Sequence, residues 1–577
     1  MRKPLSREAE SRAARECARA LDRIPASRID DTARHIDSSD RTKHKRMDAR
    51  SMRFCAVIAL VGCAADRPPA LDRERILLGP IPLKRQLAWI DSALDRVVAI
   101  DAGDDRDPRV NAWAIGRHPV FAAPTPSGDR VLVVTRGEEA LARGQVDEDP
   151  KLWSVDVTAP GSKPTAYQVS SPFDRIAVSS DSGIAVAYFS EAGPDAEGFF
   201  RNPNELAFID LHQPPGPGNP VMKTIRSFGS SPAGIVVSPR MAIPGAGDAS
   251  DRIFAFVLAR NVVTVIDASH PERDEVSIRL DGAGANVLPR EMVFAPNTAT
   301  AYVRSDGARD VLEMVLIADP PASDAASEND YRPVLAELGV GGAPSDIAVF
   351  DNAAGVRYVL AATPATREIV IIDADTGQFR RVETPDPIDR IVLFPGGGGP
   401  ATTAIFAQIG AAMPRVHSLS LVDVQDPLAR LDLNTIEVGE PVRDLSPVPG
   451  RDLAMMVHDD NRTVLGMLDV AYGSVSPLQG IGRLDTYAFT PAGDFLVGTT
   501  DDVARLGMLE LSNLHPTDLR LDYPARQVYA LANGALIVDH GDPFGRATVI
   551  PGTASDRGDA RVLSGFLLAN ILDQEAP

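Results

Sequence analysis

One short phrase recurs along most of this 577-residue chain and constrains it more than any other feature. An apolar run closing on an acid appears as VVAID ending at Asp101, LWSVD at Asp156, LAFID at Asp210, VTVID at Asp267 and VLIAD at Asp319. It continues as VIID at Asp373, SLVD at Asp423, GMLD at Asp469 and GMLE at Glu510. Successive acids stand 55, 54, 57, 52, 54, 50, 46 and 41 residues apart. A sustained period of this length marks a repeat architecture, whose size reflects the number of units rather than a variety of domains.

The interior of each unit is also alike. In one, RIAV, GIAVAYF, ELAFID and MKTI follow one another between 175 and 225; in another, DIAVF, RYVLAA, EIVIID and FRRV do so between 346 and 382. Each unit therefore holds four short runs rich in Val, Ile and Ala, separated by Asp, Gly, Ser and Pro turns, the pattern of antiparallel strands. A small four-stranded sheet leaves two faces and two edges uncovered. Arranging such sheets around a ring buries the faces and leaves only short edges, so the pattern predicts an all-β propeller. Nine units carry the phrase and a tenth follows over 527–550, so the sequence favours one large ring of seven to ten blades. Two smaller rings are the alternative. The first unit lacks an obvious first strand, and the segment 564–571 is expected to supply it by pairing the N- and C-terminal strands. The phrase is expected to be the third strand, with Asp156, Asp210, Asp267, Asp373 and Asp469 accepting backbone N–H bonds in the turn that follows. Identical placement in successive blades spaces these acids too widely to share one ion.

The wording RYVLA (357–361) followed by IVIIDADTG (369–377) resembles the YVTN-type β-propeller repeat of bacterial surface and periplasmic proteins. TAYVR (300–304) and VTVID (263–267) echo it. The resemblance implies the fold and a cell-envelope location, and it carries no catalytic residue, because such repeats host many roles.

Charge and cysteine content divide the chain in two. Residues 1–51 hold 14 Lys and Arg against 9 Asp and Glu, whereas residues 63–577 hold 44 against 70. The three cysteines, Cys17, Cys55 and Cys63, all precede the repeats. The acidic body excludes a broad nucleic-acid surface. Residues 52–66 read MRFCAVIALVGCAAD: a positive charge, a short apolar run, then LVGC at 60–63. This resembles a bacterial lipoprotein processing box, in which Cys63 is acylated. The run is about half of what spans a bilayer. Two or three acyl chains would hold the protein at a membrane surface. Ala64 after Cys63 departs from the usual inner-membrane retention signal of such lipoproteins and favours the outer membrane. The expected organisation is a disordered basic extension or mis-assigned start over 1–51 (Met47 being the better start), a signal-peptide end over 52–62, an anchor and linker over 63–84, and a propeller over 85–575.

Motifs for a phosphate loop, a zinc protease or a nucleophile elbow do not occur. His458-Asp459-Asp460 and Asp539-His540-Gly541-Asp542 put one His beside carboxylates, as a divalent-metal or acid–base site would. Both fall where a hairpin is expected, and acidic solvated turns are the simpler reading. No cofactor is predicted, a divalent ion at these turns being the alternative. Three insertions, 137–150, 191–204 and 242–251, are expected between second and third strands, on one face beside the central channel. Phe199, Phe200 and Arg201 form the candidate partner anchor there, since paired exposed aromatics favour a covering partner. The expected function is a non-catalytic envelope lipoprotein that binds a protein or envelope polymer through this loop face. The alternative is a propeller-face enzyme, a metal-assisted lyase, hydrolase or lactonase. Oligomeric state is left open.

Overall fold

The computed structural model describes residues 77–568 except 104–107, 139–146, 191–201, 227–231, 247–250, 285, 320–328, 353, 395–400, 411–413, 426–429, 480, 501–502 and 552–559. Cys63 and the Phe199–Phe200–Arg201 anchor lie outside these residues. Among the described residues, forty strands form ten four-stranded antiparallel sheets, each an uninterrupted meander. These are the blades of a β-propeller, numbered in chain order: 77–114, 119–168, 175–224, 234–279, 288–338, 346–383, 390–437, 444–477, 486–520 and 527–564. No helix among them is long and apolar enough to cross a membrane.

The pleat explains why the strands are apolar throughout rather than alternating. In the second strand of blade 1, Gln86–Asp91, Leu87 and Trp89 pack on blade 10 while Ala88 and Ile90 pack on blade 2. A central strand of a blade is buried on both faces, so both sets of side chains must be apolar. The ten core clusters correspond one to one with the ten blade interfaces. The recurring phrase is the third strand, as in Lys151–Asp156, Glu205–Asp210 and Glu368–Asp373. At the turn after the last of these, Gly377 adopts φ 67°, and its N–H reaches the Asp373 carbonyl at 2.9 Å. Only a residue without a Cβ takes that conformation freely.

Ring closure differs from the expected strand exchange. Blade 1 supplies its own first strand, Leu77–Pro82, ahead of residue 85, and the last strand, Arg561–Ser564, pairs only within blade 10. The ring closes on side chains instead: Leu87, Trp89, Val98 and Ile100 of blade 1 meet Leu531, Ile537, Val549 and Leu567. Trp89 lies 5.1 Å from Phe566, and the Arg96 guanidinium donates to the Leu567 carbonyl at 2.7 Å. The core of blade 1 presents the same apolar face as every other blade, so no shared sheet is needed.

First strands of neighbouring blades approach one another and line the axis. Meander topology then sorts the connections. Hairpins between second and third strands, and links to the next blade, share one face, called here the loop face. The other two turns of each blade lie opposite. Insertions 137–150 and 191–204 fall in second-to-third hairpins of blades 2 and 3. The segment 242–251 does not: it joins Gly234–Val237 to Phe254–Ala259, the first and second strands of blade 4, and lies on the opposite face. The apolar runs on its two sides match those of a second-to-third hairpin, so the sequence pattern alone did not separate the two positions.

Candidate functional site

The loop face around the channel mouth carries a set of charged residues at the starts of the first strands. A charged residue stands at or just before the start of the first strand in many blades: Asp174, Asp346, Asp389, Asp444 and Arg526. The four acids are bonded into the scaffold. Asp174 accepts the Ser190 N–H at 2.8 Å, and Asp389 that of Ile409 at 2.9 Å. Asp346 crosses from blade 6 to blade 7 to accept the Ile391 N–H at 2.7 Å. Burial raises the Asp346 carboxyl above its ordinary range, the Ile391 N–H opposes this, and Glu291 adds to it. Asp444 of blade 8 accepts from the Tyr487 hydroxyl of blade 9 at 2.9 Å. The mouth is thus a belt of acids held by backbone amides and neighbouring blades, with Arg175, Arg390 and Arg526 interspersed. These positions escaped notice in the sequence, although their signal is present: an acid or Arg immediately before an apolar first strand, as in DRIAV (174–178), SDIAV (345–349) and DRIVL (389–393).

The two His/Asp clusters occupy second-to-third hairpins of blades 8 and 10, on this same face. His458 is buried, with Nδ1 3.1 Å from the Glu440 carbonyl. Asp459 accepts from the Thr463 and Val464 N–H groups and the Thr463 hydroxyl, and Asp460 pairs with Arg443 at 3.5 Å. Burial is the largest single influence on the Asp459 carboxyl and raises it, but the hydrogen bonds together outweigh it and hold the group below its ordinary range. In blade 10, His540 meets the Pro524 carbonyl through Nδ1 at 2.7 Å and Thr548 Oγ1 through Nε2 at 2.8 Å. Asp539 is buried and accepts the Gly541 N–H, and burial raises its carboxyl. Asp542 accepts the Phe544 N–H at 2.9 Å and pairs with Arg546. In both hairpins the His and Asp side chains bond to the turn and its neighbours rather than facing one another around an open point. Among the described residues no group of three or more His, Cys, Asp or Glu is placed to hold a metal ion.

The acids closing the third strands sit on the opposite face. Asp156 accepts from the Thr158 N–H, Asp210 from His212, Asp373 from Asp375 and Thr376, and Asp469 from Tyr472, at 2.8–3.1 Å. Asp267 does the same for Ser269 and also meets Arg252, which is nearly inaccessible and bonds Asp330 at 2.8 Å. A second buried cluster lies between blades 6 and 7. His417 Nε2 is 3.0 Å from Asp386 Oδ2, its Nδ1 is 3.1 Å from Thr435 Oγ1, and Arg415 grips both oxygens of Asp386. Arg415 and His417 depress the Asp386 carboxyl below its ordinary range.

The loop insertions are anchored at their described bases. Arg117 pairs with Glu138 and lies 3.8 Å from Glu148, while Lys151 reaches Glu148 at 3.8 Å. Glu205 accepts from Ser170 and Ser171 beside the second insertion.

No family model matches the chain, and no curated protein matches it. Among solved structures, it is similar to dihydro-heme d1 dehydrogenase NirN in complex with DHE, at 13% identity over 85% of this chain and 87% of that one, with a TM-score of 0.38. It is also similar to a Dos1 propeller, at 12% identity over 63% and 89% of the two chains and a TM-score of 0.38. A chain of a mitotic checkpoint complex is similar at 10% identity over 60% and 86%, with a TM-score of 0.31. The fold assignment rests on the sheet topology and not on these likenesses.

Proposed function

We propose that this protein is a lipid-anchored envelope protein, held at the outer membrane through acylated Cys63, whose propeller is a non-catalytic platform. Its loop face binds a protein or envelope polymer. The observation that carries the reading is that the chain enters and leaves both long insertions, 137–150 and 191–204, at the loop-face ends of the second and third strands of adjacent blades. Loops raised on a rigid scaffold are where recognition concentrates, because they vary without disturbing the core. The polar groups nearby are bonded to backbone, which makes them a fixed pattern of charge for recognition rather than a set of mobile acids and bases.

Two measurements test this reading. Mass spectrometry of the mature amino-terminal peptide is expected to find a diacyl or triacyl modification on Cys63; a native peptide from residues 1–40 overturns the anchor. Photo-crosslinking from position 200 in intact envelopes is expected to give a discrete product that position 472, on the opposite face, does not. Equal crosslinking from both positions, or none from either, overturns the loop-face assignment.

A further inference from the structure

Away from the insertions, the loop face carries a second surface. Val464, Val503 and Phe544 lie in the second-to-third hairpins of blades 8, 9 and 10, Tyr523 lies in the link between blades 9 and 10, and Leu568 follows the last strand. All five are exposed, Phe544 to 56% and Leu568 to 54%. The groups around Phe544, Tyr523 and Leu568 are bonded to one another. Leu567 donates to the Phe544 carbonyl at 3.0 Å and Leu568 to that of Gly565 at 2.9 Å, while the Arg546 guanidinium lies 4.0 Å from the Tyr523 ring centre. Arg443, Arg483 and Arg526 are exposed on the same sector; Arg443 pairs with Asp460 at 3.5 Å and Arg483 with Asp485 at 2.5 Å, and Asp522 is exposed close to Arg526 in sequence, so the apolar side chains stand among charges of both signs. Apolar and aromatic side chains displayed among paired charges suit the headgroup boundary of a bilayer, where rings and Leu reach the acyl region while the charged groups stay at headgroup level.

The path of the chain selects that occupant. Leu77 pairs with Asp91, at the second-to-third hairpin of blade 1, so the propeller begins on the loop face. It begins beside Leu567, whose carbonyl is bonded to Arg96 of that same hairpin. Cys63 lies 14 residues before Leu77. Even fully extended, that tether reaches at most about 50 Å. We infer that the sector of the loop face formed by blades 8 to 10, next to the anchor attachment, docks on the bilayer surface. Blades 2 and 3 are then left to carry the partner loops. This inference rests on the lipid-anchor reading for its biological setting.

The test separates the two ideas. The full chain carrying Cys17→Ser and Cys55→Ser is coupled through Cys63 to a maleimide-headgroup lipid in phosphatidylethanolamine–phosphatidylglycerol vesicles, so docking is measured whether or not the cell acylates Cys63. Of the three native tryptophans Trp89 and Trp113 are buried and Trp153 is half-buried, so an added Trp is read as the difference from the parent protein that carries all three. Phe544→Trp is expected to show a blue shift on coupling and to lose most of the added emission when the lipids carry bromine on their acyl chains. Tyr472→Trp, on the opposite face at a position exposed to 86%, is expected to do neither. In a Val464→Trp reporter, adding Phe544→Asp and Leu568→Asp is expected to abolish the quenching while circular dichroism stays unchanged. Absence of quenching at 544, or equal quenching at 544 and 472, overturns the docking and leaves the patch to a protein partner. An unmodified Cys63 in the mature protein overturns the anchor alone.

Discussion

Closing the ring on side chains alone makes the junction of blades 10 and 1 the place where the propeller opens. Every other interface is also spanned by the chain; this one is held by a single core cluster and by the Arg96 bond to Leu567. Trp89 is the largest side chain in that cluster, only 3% exposed. An aromatic of this size buries about 200 Å². At about 25 cal/mol per Å², its removal forfeits about 5 kcal/mol. Large-to-small core changes of aromatics fall at about 3–5 kcal/mol. Trp89→Ala is therefore expected to raise the opening equilibrium of this junction by about a thousandfold, given tenfold per 1.4 kcal/mol. Native-state hydrogen exchange reads the effect directly. Protection in 77–114 and 527–564 is expected to fall by up to that factor, while blades 5 and 6, across the ring, keep theirs. A loss of protection spread evenly over all ten blades, or none in blades 1 and 10, refutes the reasoning that closure is a local contact made by side chains.

Other expectations follow from the same structure. Asp386→Asn removes the charged acceptor of Arg415 and His417 and is expected to destabilise the fold by about 2–3 kcal/mol at neutral pH. Because the folded state lowers the Asp386 pKa from 3.8, its contribution is present above the unfolded value and lost as pH falls through the folded one. Urea titrations are therefore expected to show the two proteins converging in strong acid; a gap independent of pH contradicts this. Asp539 has the opposite sign: burial raises its pKa, so the wild type loses stability as pH rises from 3.8 through the folded value. Asp539→Asn is expected to flatten that slope, and an unchanged slope contradicts it. Gly498 lies where an added Cβ would come within 2.2 Å of Leu484 Cδ2, so Gly498→Ala is expected to lower stability by about 1–3 kcal/mol in thermal melts.

Much of the fold is legible because a blade is a local object. The third strand can be read from ELAFID or EIVIID alone, since strand, turn and capping acid are all settled within a few residues. The bonds of Asp156, Asp210 and Asp373 to amides two residues on are of that kind. The channel-mouth acids were less legible. Asp346 reads as one more turn acid, and only its bond to Ile391 on the next blade shows that it joins two blades. His417 lies within an ordinary third strand, and its partner Asp386 is 31 residues away in a link, a distance no local pattern spans.

The amino-acid sequence by itself determined the repeat, its period, the four strands of each unit and the turn chemistry between them, because short-range hydrogen bonding and the two-residue pleat encode all of these. Tertiary structure decided that ten blades make one ring, that residues 87–100 close against 531–567 without sharing a strand, and that segment 242–251 joins a first strand to a second where the other two insertions join a second to a third. The physical reason is that every blade offers its neighbour a chemically similar apolar face. Such a face specifies that something must cover it, while ring geometry and chain connectivity specify what does.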